Sequence, residues 1–237
     1  MSEKAGVTSS QGADVAALTY GQAYTAAKTW HAAMEKDPIF VYMREVPGYK
    51  PRGPLMMHLR ILATMVLLWL RMQRKLVLTI NGGQSLIIAE PVNLGKKKIL
   101  DYLFDWAVMF FLWCMNKLRP REGQKRWAEV YGKLDEATTR YIGDADRRKG
   151  MVHVAALGTH PAAQGKRYGG ALLDYVTAMA DKNGQTTHLE SSNPLNVPFY
   201  RRHGFVVVGE VSAGDDNPCW TRSPVRGTIL VRKPKET

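Results

Sequence analysis

The chain has 237 residues, 45% of them hydrophobic, enough for one substantial core or for one domain with an elaboration. Its formal charge of +12 suits a polyanionic partner such as a nucleic acid, a lipid headgroup surface or a phosphate-rich cofactor, or else a plain solvated basic surface. Cys114 and Cys219 stand far apart without companion ligands, so neither a disulfide framework nor a zinc site is expected, and a reducing, cytoplasmic setting is.

The opening residues, MSEKAGVTSSQGAD, hold no apolar core; residues 1–12 are expected to be a disordered tail, not a secretory signal. From Ala13 to Lys36, Val15, Leu18, Ala23, Ala26, Ala27, Trp30 and Met34 recur at helical spacing. Asp37-Pro38 is expected to end that helix, because the residue before proline avoids the helical region. After VPGYKPRGP, the run LMMHLRILATMVLLWLRMQRK predicts an apolar helix. LVLTINGGQSLIIAEP predicts a hairpin turning at Asn81-Gly82-Gly83 and stopped by Pro91.

Residues 96–118 predict a second apolar helix behind three lysines. The uncharged runs Ile61–Leu70 and Trp106–Asn116 are about half of the roughly 20 residues a spanning helix needs, so neither is expected to cross a membrane. Glu122 to Tyr141 reads as an amphipathic helix with Trp127, Val130, Tyr131, Leu134 and Thr138 on one face.

Gly150 opens a strand, MVHVAALG, followed by a glycine-bearing turn, THPAAQGKRYGG, and a helix, ALLDYVTAMA. TTHLESS is a short strand. Asn196 is expected to cap a short helix, VPFYRRH, that Gly204 terminates. FVVVGEV and GTILVRK form a final antiparallel pair around DDNPCWTRSP. This order predicts one mixed α/β domain.

A turn between a strand and a helix start leaves backbone N–H groups without intrahelical partners, and with the helix dipole they favour a phosphate or pyrophosphate. Gly165, Gly169 and Gly170 are expected to let that backbone approach a ligand, with Lys166 and Arg167 adding charge. The dinucleotide pattern G-x-G-x-x-G is absent, and Gly165 to Gly170 is followed by Ala171-Leu172 where a P-loop needs Lys and Ser or Thr.

The run from Val152 to Val211 resembles the cofactor-binding half of a GNAT-superfamily N-acetyltransferase. The residues that carry the resemblance are the signature-like Gln164-Gly165-Lys166-Arg167-Tyr168-Gly169, with Arg167 where the first signature glycine normally stands. Leu157-Gly158-Thr159-His160-Pro161 precedes the signature, and LESSNPLNVPFYRRHGFVVVGE follows it. The last block, and a helix ending in Asp37-Pro38, resemble the puromycin N-acetyltransferase-like branch.

The resemblance implies an α/β (α+β) GNAT fold: a mixed, mostly antiparallel sheet splayed between two central parallel strands, here with extra apolar N-terminal helices. It implies a single domain over 13–237, with an acceptor-side half (13–149) and an acetyl-CoA-binding half (150–237). Acetyl-CoA is the implied co-substrate, and no metal is expected. Its pantetheine arm would pair with Leu157, Gly158 and Thr159, and its pyrophosphate would lie on the amides of Gln164, Gly165, Lys166, Arg167, Tyr168, Gly169 and Gly170. Asn193 and Asn196 match family positions that contact or support the cofactor, Asn196 reading equally as a helix cap.

Tyr200 matches the family's usual general acid. A departing thiolate needs a proton, and a phenol of ordinary pKa about 10 can give one in step with bond breaking. A main-chain N–H near Leu157 is placed to steady the carbonyl oxygen. For the proton lost by the amine, Glu190, His153 and Glu90 are all candidates, Glu190 being the one taken as catalytic.

Met56, Met57, Met65, Trp69, Trp106, Phe110, Phe111 and Trp113 sit on helices apolar nearly all round, which suits an acceptor pocket, a homodimer interface or a peripheral membrane contact. The leading expectation is transfer to the primary amine of a small, partly apolar molecule, in detoxification or resistance. A protein or peptide amine is disfavoured where the acceptor is itself basic. A non-catalytic acyl-CoA-binding peripheral membrane protein is the reading from another class. Nucleic acid ranks last, since charge is its only support.

Overall fold

The computed structural model describes residues 14–50, 53–90, 99–144, 148 and 150–235; the expected tail at 1–12, Pro91 and Lys96 to Lys98 lie outside them. Seven strands share one mixed sheet in the order β1-β2-β3-β4-β5-β7-β6. They are β1 (Ala16–Ala17), β2 (Leu76–Ile80), β3 (Ser85–Glu90), β4 (Val152–Thr159), β5 (Thr187–Ser191), β6 (Val206–Ala213) and β7 (Val225–Arg232). Every neighbouring pair is antiparallel except β4–β5. This is the α/β GNAT fold that the C-terminal motifs imply.

The helices are α1 (Ala23–Ala33), α2 (Pro38–Arg44), α3 (Pro54–Met72), α4 (Ile99–Lys117), α5 (Arg121–Tyr141), α6 (Tyr168–Lys182) and α7 (Val197–Arg202). The hairpin of β2 and β3 turns where expected, with Asn81 and Gly82 both at positive φ. Gly204, at φ +84, receives the end of α7 as a left-handed residue.

The N-terminal reading is corrected in two places. Ala16 and Ala17 are a strand at the sheet edge, paired with Thr79 and Leu78, and helix begins only after a 3-10 turn at Tyr20–Gln22. The pull is tertiary: Leu18 is buried and its N–H bonds to the Val77 carbonyl, an arrangement two residues long and so too short to show a period of its own. The first helix stops before Asp37-Pro38 as expected, but the dipeptide also begins a second helix that the sequence reading lacks. Asp37 is the N-cap of α2, accepting from the N–H groups of Ile39 and Phe40, and Pro38 occupies the first turn, where its missing donor costs nothing.

Alternate residues of the central strands face opposite layers, and both layers are covered. On one face Ile87, Ala89, Val152 and Val154 meet Leu172, Leu173 and Val176 of α6. On the other, Val77, Leu86 and Ile88 meet Ala26 and Ala27 of α1 and Leu68 of α3. A third cluster joins α2 to α5 through Ile39, Tyr42, Met43 and Val130.

Arg126, fully buried on α5, ties that corner together. It pairs with Glu122 one turn back at 2.9 Å and donates to the carbonyls of Tyr42, Glu45 and Cys219. Its guanidinium lies 4.8 Å from the Tyr42 ring and 5.3 Å from Trp220. Helix α2, helix α5 and the β6–β7 loop therefore share one buried cation whose donors are met by carbonyls and a carboxylate. Replacing it with methionine leaves three carbonyls and Glu122 without that donor. Arg126→Met is expected to lower unfolding free energy by about 3 kcal/mol, read from the urea midpoint at unchanged m-value.

Candidate active site

β4 and β5 pair only at Val152–Thr187 and His153–His188 and then separate. Beyond that point β4 stays paired to β3 as far as Ser85–Thr159, while β5 stays paired to β7 as far as Ser191–Thr228. A bulge lies just past the separation: Ile88 faces Ala156 and Ala89 faces Val154, which leaves Ala155 as the extra residue. The strands open onto a cleft of about 2780 Å³ that Leu157, Gly158 and Thr159 line from β4.

The loop after β4 is shaped by its own polar groups. His160 accepts from the Ala162 N–H, and a 3-10 turn at Pro161–Ala163 follows. Gln164 is consumed here, its backbone N–H going to the Pro161 carbonyl and its side chain to Thr159. Its amide is therefore not available for an anion, contrary to the sequence expectation, because the turn uses it. Gly165 has φ +80, and Arg167 adopts the left-handed conformation at φ 61 as the residue before α6. No side chain caps α6, so the N–H groups of Tyr168, Gly169 and Gly170 have no partner within the helix and sit at its positive end, on the cleft.

Such a helix start fits a pyrophosphate. It does so despite the arginine at the signature glycine position, since Arg167 takes the left-handed backbone that a glycine there would supply, at a cost of about 1 kcal/mol. The glycines at 169 and 170 have another purpose than ligand access. A Cβ on Gly169 would lie 3.3 Å from Thr159 Oγ1, and one on Gly170 would lie 3.2 Å from the His203 ring. Their smallness lets α6 pack close to β4 and α7.

Asn193, not Asn196, is the side-chain cap. Asn193 Oδ1 accepts from the Leu195 N–H, whereas the exposed Asn196 makes no cap bond at the start of α7, and both line the cleft. Nearer the chemistry, Tyr200 of α7 is buried between Phe199 and Phe205 and also lines the cleft. Burial, helped by the charge of Asp37, pushes its hydroxyl pKa up to about 12. The sequence reading missed Asp37 as a site-shaping residue. It is nearly buried, caps α2 and accepts a 2.5 Å hydrogen bond from Ser192, so it joins the acceptor-side helices to the loop after β5. The Asp-Pro dipeptide, read as N-cap and first-turn proline, carried that signal.

All three candidate bases converge. His153 Nε2 lies 2.8 Å from Glu190 Oε2, and His153 Nδ1 lies 3.9 Å from Glu90, which Lys75 in turn holds at 2.5 Å. His188 stacks on His153 with ring centres 4.6 Å apart, its Nδ1 3.5 Å from Glu190. Burial opposes charge on Glu190, but His153 and His188 outweigh it and hold the carboxyl well below its usual range. Burial likewise opposes charge on His153, yet the hydrogen bond its ring donates to Glu190 and the charges of Glu190 and Glu90 raise its pKa. Donor atoms of His153, His188 and Glu190 lie within 4.8 Å of one another, a set able to hold a cation where the sequence reading expected no metal.

Residues 127–207 match the acetyltransferase (GNAT) domain family. Among solved structures, the chain is similar to arylalkylamine N-acetyltransferase 2 of Aedes aegypti at 12% identity and a TM-score of 0.57, covering 95% of this chain and 100% of that one. It is similar to the polyamine N-acetyltransferase of Drosophila melanogaster, an enzyme that forms N-acetylagmatine, at 14% identity and a TM-score of 0.55, over 93% and 99% of the two chains. It is also similar to "histone acetyltransferase HPA2 and related acetyltransferase" of Corynebacterium glutamicum, at 17% identity and a TM-score of 0.55, over 95% and 98%. At such identities the likeness speaks for the fold, while the matched segment supplies the domain. The fold is that of the GNAT acetyltransferases, and the match at residues 127–207 to their domain indicates an acyl-CoA-dependent acetyltransferase.

The cluster makes a definite prediction for His153. Glu190→Gln removes the charge that raises the imidazole pKa, so the His153 ring should titrate at lower pH in the variant, by proton NMR; an unchanged midpoint would break the coupling. In the turn, Gly165→Ala forces a side chain into φ +80 and is expected to cost about 1 kcal/mol in stability and to weaken acetyl-CoA binding by calorimetry.

Proposed function

We propose that this acetyltransferase moves the acetyl group of acetyl-CoA directly to the primary amine of a small, partly apolar molecule, both substrates being held at once in the cleft. The observation that carries this reading is the convergence on one cleft of an uncapped helix start, the open edge of β4, Tyr200 and the Glu190–His153 pair. Acetyl-CoA brings an activated thioester; the chain's own residues must bind it, orient it and move two protons.

The amides of Tyr168, Gly169 and Gly170, with the backbone of Gly165, Lys166 and Arg167, form the anion cradle in this reading. The edge of Leu157 to Thr159 faces the cleft as a row of backbone donors and acceptors for the extended pantetheine arm. Asn193 and Asn196 stand on the facing wall. For the amine proton, Glu190 and His153 work as a pair: the imidazole accepts, and the carboxylate 2.8 Å away steadies the charge it gains. Tyr200 holds its proton firmly across the working pH range. It serves as a hydrogen-bond donor to the departing sulfur, with transfer completed only as the bond breaks.

The acceptor side supports a cationic, partly aromatic amine. Trp30, Phe40, Trp127 and Tyr131 line it, and Glu90, Asp135 and Glu190 supply negative charge for an ammonium. The arylalkylamine and polyamine enzymes of similar fold act on small amines, which favours the same class here. The net charge of +12 disfavours a basic protein tail as the acceptor. A detoxification role follows from the resemblance to the puromycin-like branch, and a cytoplasmic setting suits two free cysteines.

The test is thiol release from acetyl-CoA over a panel of primary amines running from polyamines to arylalkylamines. Turnover is expected with the aromatic members, and none with any amine would overturn the reading. Tyr200→Phe should lower kcat by about a hundredfold or more while the thermal shift produced by acetyl-CoA stays the same. Because His153 must be neutral to accept a proton, kcat/KM should rise with pH through its raised pKa, and Glu190→Gln should move that limb to lower pH.

A further inference from the structure

α3 and α4 pack on each other and present two different faces. The inner face belongs to the cleft, through Ile61, Thr64 and Leu68 on α3 and Phe111, Leu112 and Met115 on α4. The outer face carries Met56, Leu59 and Trp69 on α3 and Trp106, Met109, Phe110 and Trp113 on α4, all of them exposed, Trp106 by 64% and Trp113 by 56%. Trp106, Phe110 and Trp113 stack in a ladder one turn apart, with ring centres at 5.2 and 6.0 Å, and Lys117 lies over the last ring. So continuous an apolar surface exceeds what scattered surface residues explain.

α3 is long and apolar enough to cross a membrane by length and composition. The sheet forbids that orientation. β1 precedes α3 and β2 follows it, yet Ala16 and Ala17 pair with Thr79 and Leu78. β3 precedes α4 and β4 follows it, and these too are paired along their length. Both ends of each helix thus return to one sheet on one side, so the pair can only lie along a surface.

Charge selects the surface. Arg60, Arg71, Arg74, Lys75 and Arg119 line the cleft, whereas Lys96, Lys97 and Lys98 precede α4 in the sequence and the exposed Lys117 and Arg121 follow its apolar stretch. A second copy seated here by two-fold symmetry would set those flanking basic residues against their own copies. Methionine, leucine and tryptophan on a helix with basic residues at both ends of its sequence, Lys117 lying over the last ring, suit acyl chains beneath anionic headgroups, with the indoles at headgroup depth.

We infer that the outer face of α3 and α4 docks the enzyme on an anionic lipid bilayer, lying in the headgroup layer and opening the acceptor cleft beside it. The docking is independent of which amine is acetylated.

Co-sedimentation of the full chain with vesicles of phosphatidylcholine and phosphatidylserine in equal parts tests it. The wild type should pellet with a blue-shifted tryptophan emission, and its affinity should fall about tenfold or more on vesicles of phosphatidylcholine alone. The same loss is expected for the triple variant Trp106→Ser, Phe110→Ser, Trp113→Ser, whose side chains lie off the cleft. Lys117→Gln with Arg121→Gln provides a second variant, which should bind the mixed vesicles more weakly than wild type even if the aromatic variant does not fold. Failure of the folded wild type to pellet with the mixed vesicles would overturn the proposal. So would a stable dimer in sedimentation velocity that the aromatic variant dissolves while vesicles are ignored, or tighter retention by single-stranded RNA than by the vesicles.

Discussion

Two parallel strands that stay together for only two residue pairs create everything the molecule uses. β4 and β5 are each committed on their outer edges, β4 to β3 through Thr159 and β5 to β7 through Ser191. Once the partners diverge, their inner edges cannot follow one another, and the bulge at Ala155 marks the point where the ladder gives way. The consequence is an unpaired strand edge inside a protein, a liability in most folds. Here it becomes a wall of backbone donors and acceptors facing a cleft. A helix start on one side and Tyr200 on the other follow from the same event, because α6 leaves the end of β4 and α7 the end of β5.

Charge inside that cleft is arranged by exchange among few groups. Glu190 would be costly as an isolated, largely buried anion. It remains ionised because His153 and His188 flank it, and His153 gains basicity in return. The stack of the two imidazoles places them at matched positions of the single short parallel pairing, so the electrostatics of the site depend on the strand register. Farther out, Asp181 and Arg232 lock the end of α6 to β7 with two contacts of 2.7 Å, and Arg126 locks α5 to α2. These pins hold the walls while the middle remains open.

α3 and α4 answer two demands with one composition. Their inner faces line the cleft, and their outer faces remain apolar where most protein surfaces turn polar. A helix that met only the first demand would alternate in period with its surroundings. The absence of that alternation, together with the cationic flanks, distinguishes these two from α5, whose apolar residues keep to one side.

Local chemistry alone determined a good deal of this protein. The period-two runs, the Asn-Gly-Gly turn, the glycine-bearing loop after an apolar strand and the left-handed Gly204 specify their elements because each is settled by a few neighbouring residues. The block from Val152 to Val211, through its resemblance to GNAT acetyltransferases, implied a sheet that splays. Longer-range competition decided the rest. Ala16 and Ala17 became a strand because an edge was waiting for them, and the Asp37 carboxylate that caps α2 came to share its other oxygen with Ser192, far along the chain. Gln164 lost its amide to its own turn, and the capping passed from Asn196 to Asn193. The meeting of Glu90, His153, His188 and Glu190, residues spread over a hundred positions, exists only once strands from both halves of the chain share a sheet. The raised pKa of Tyr200 has the same origin, since burial and a distant aspartate are properties of packing that no stretch of sequence contains.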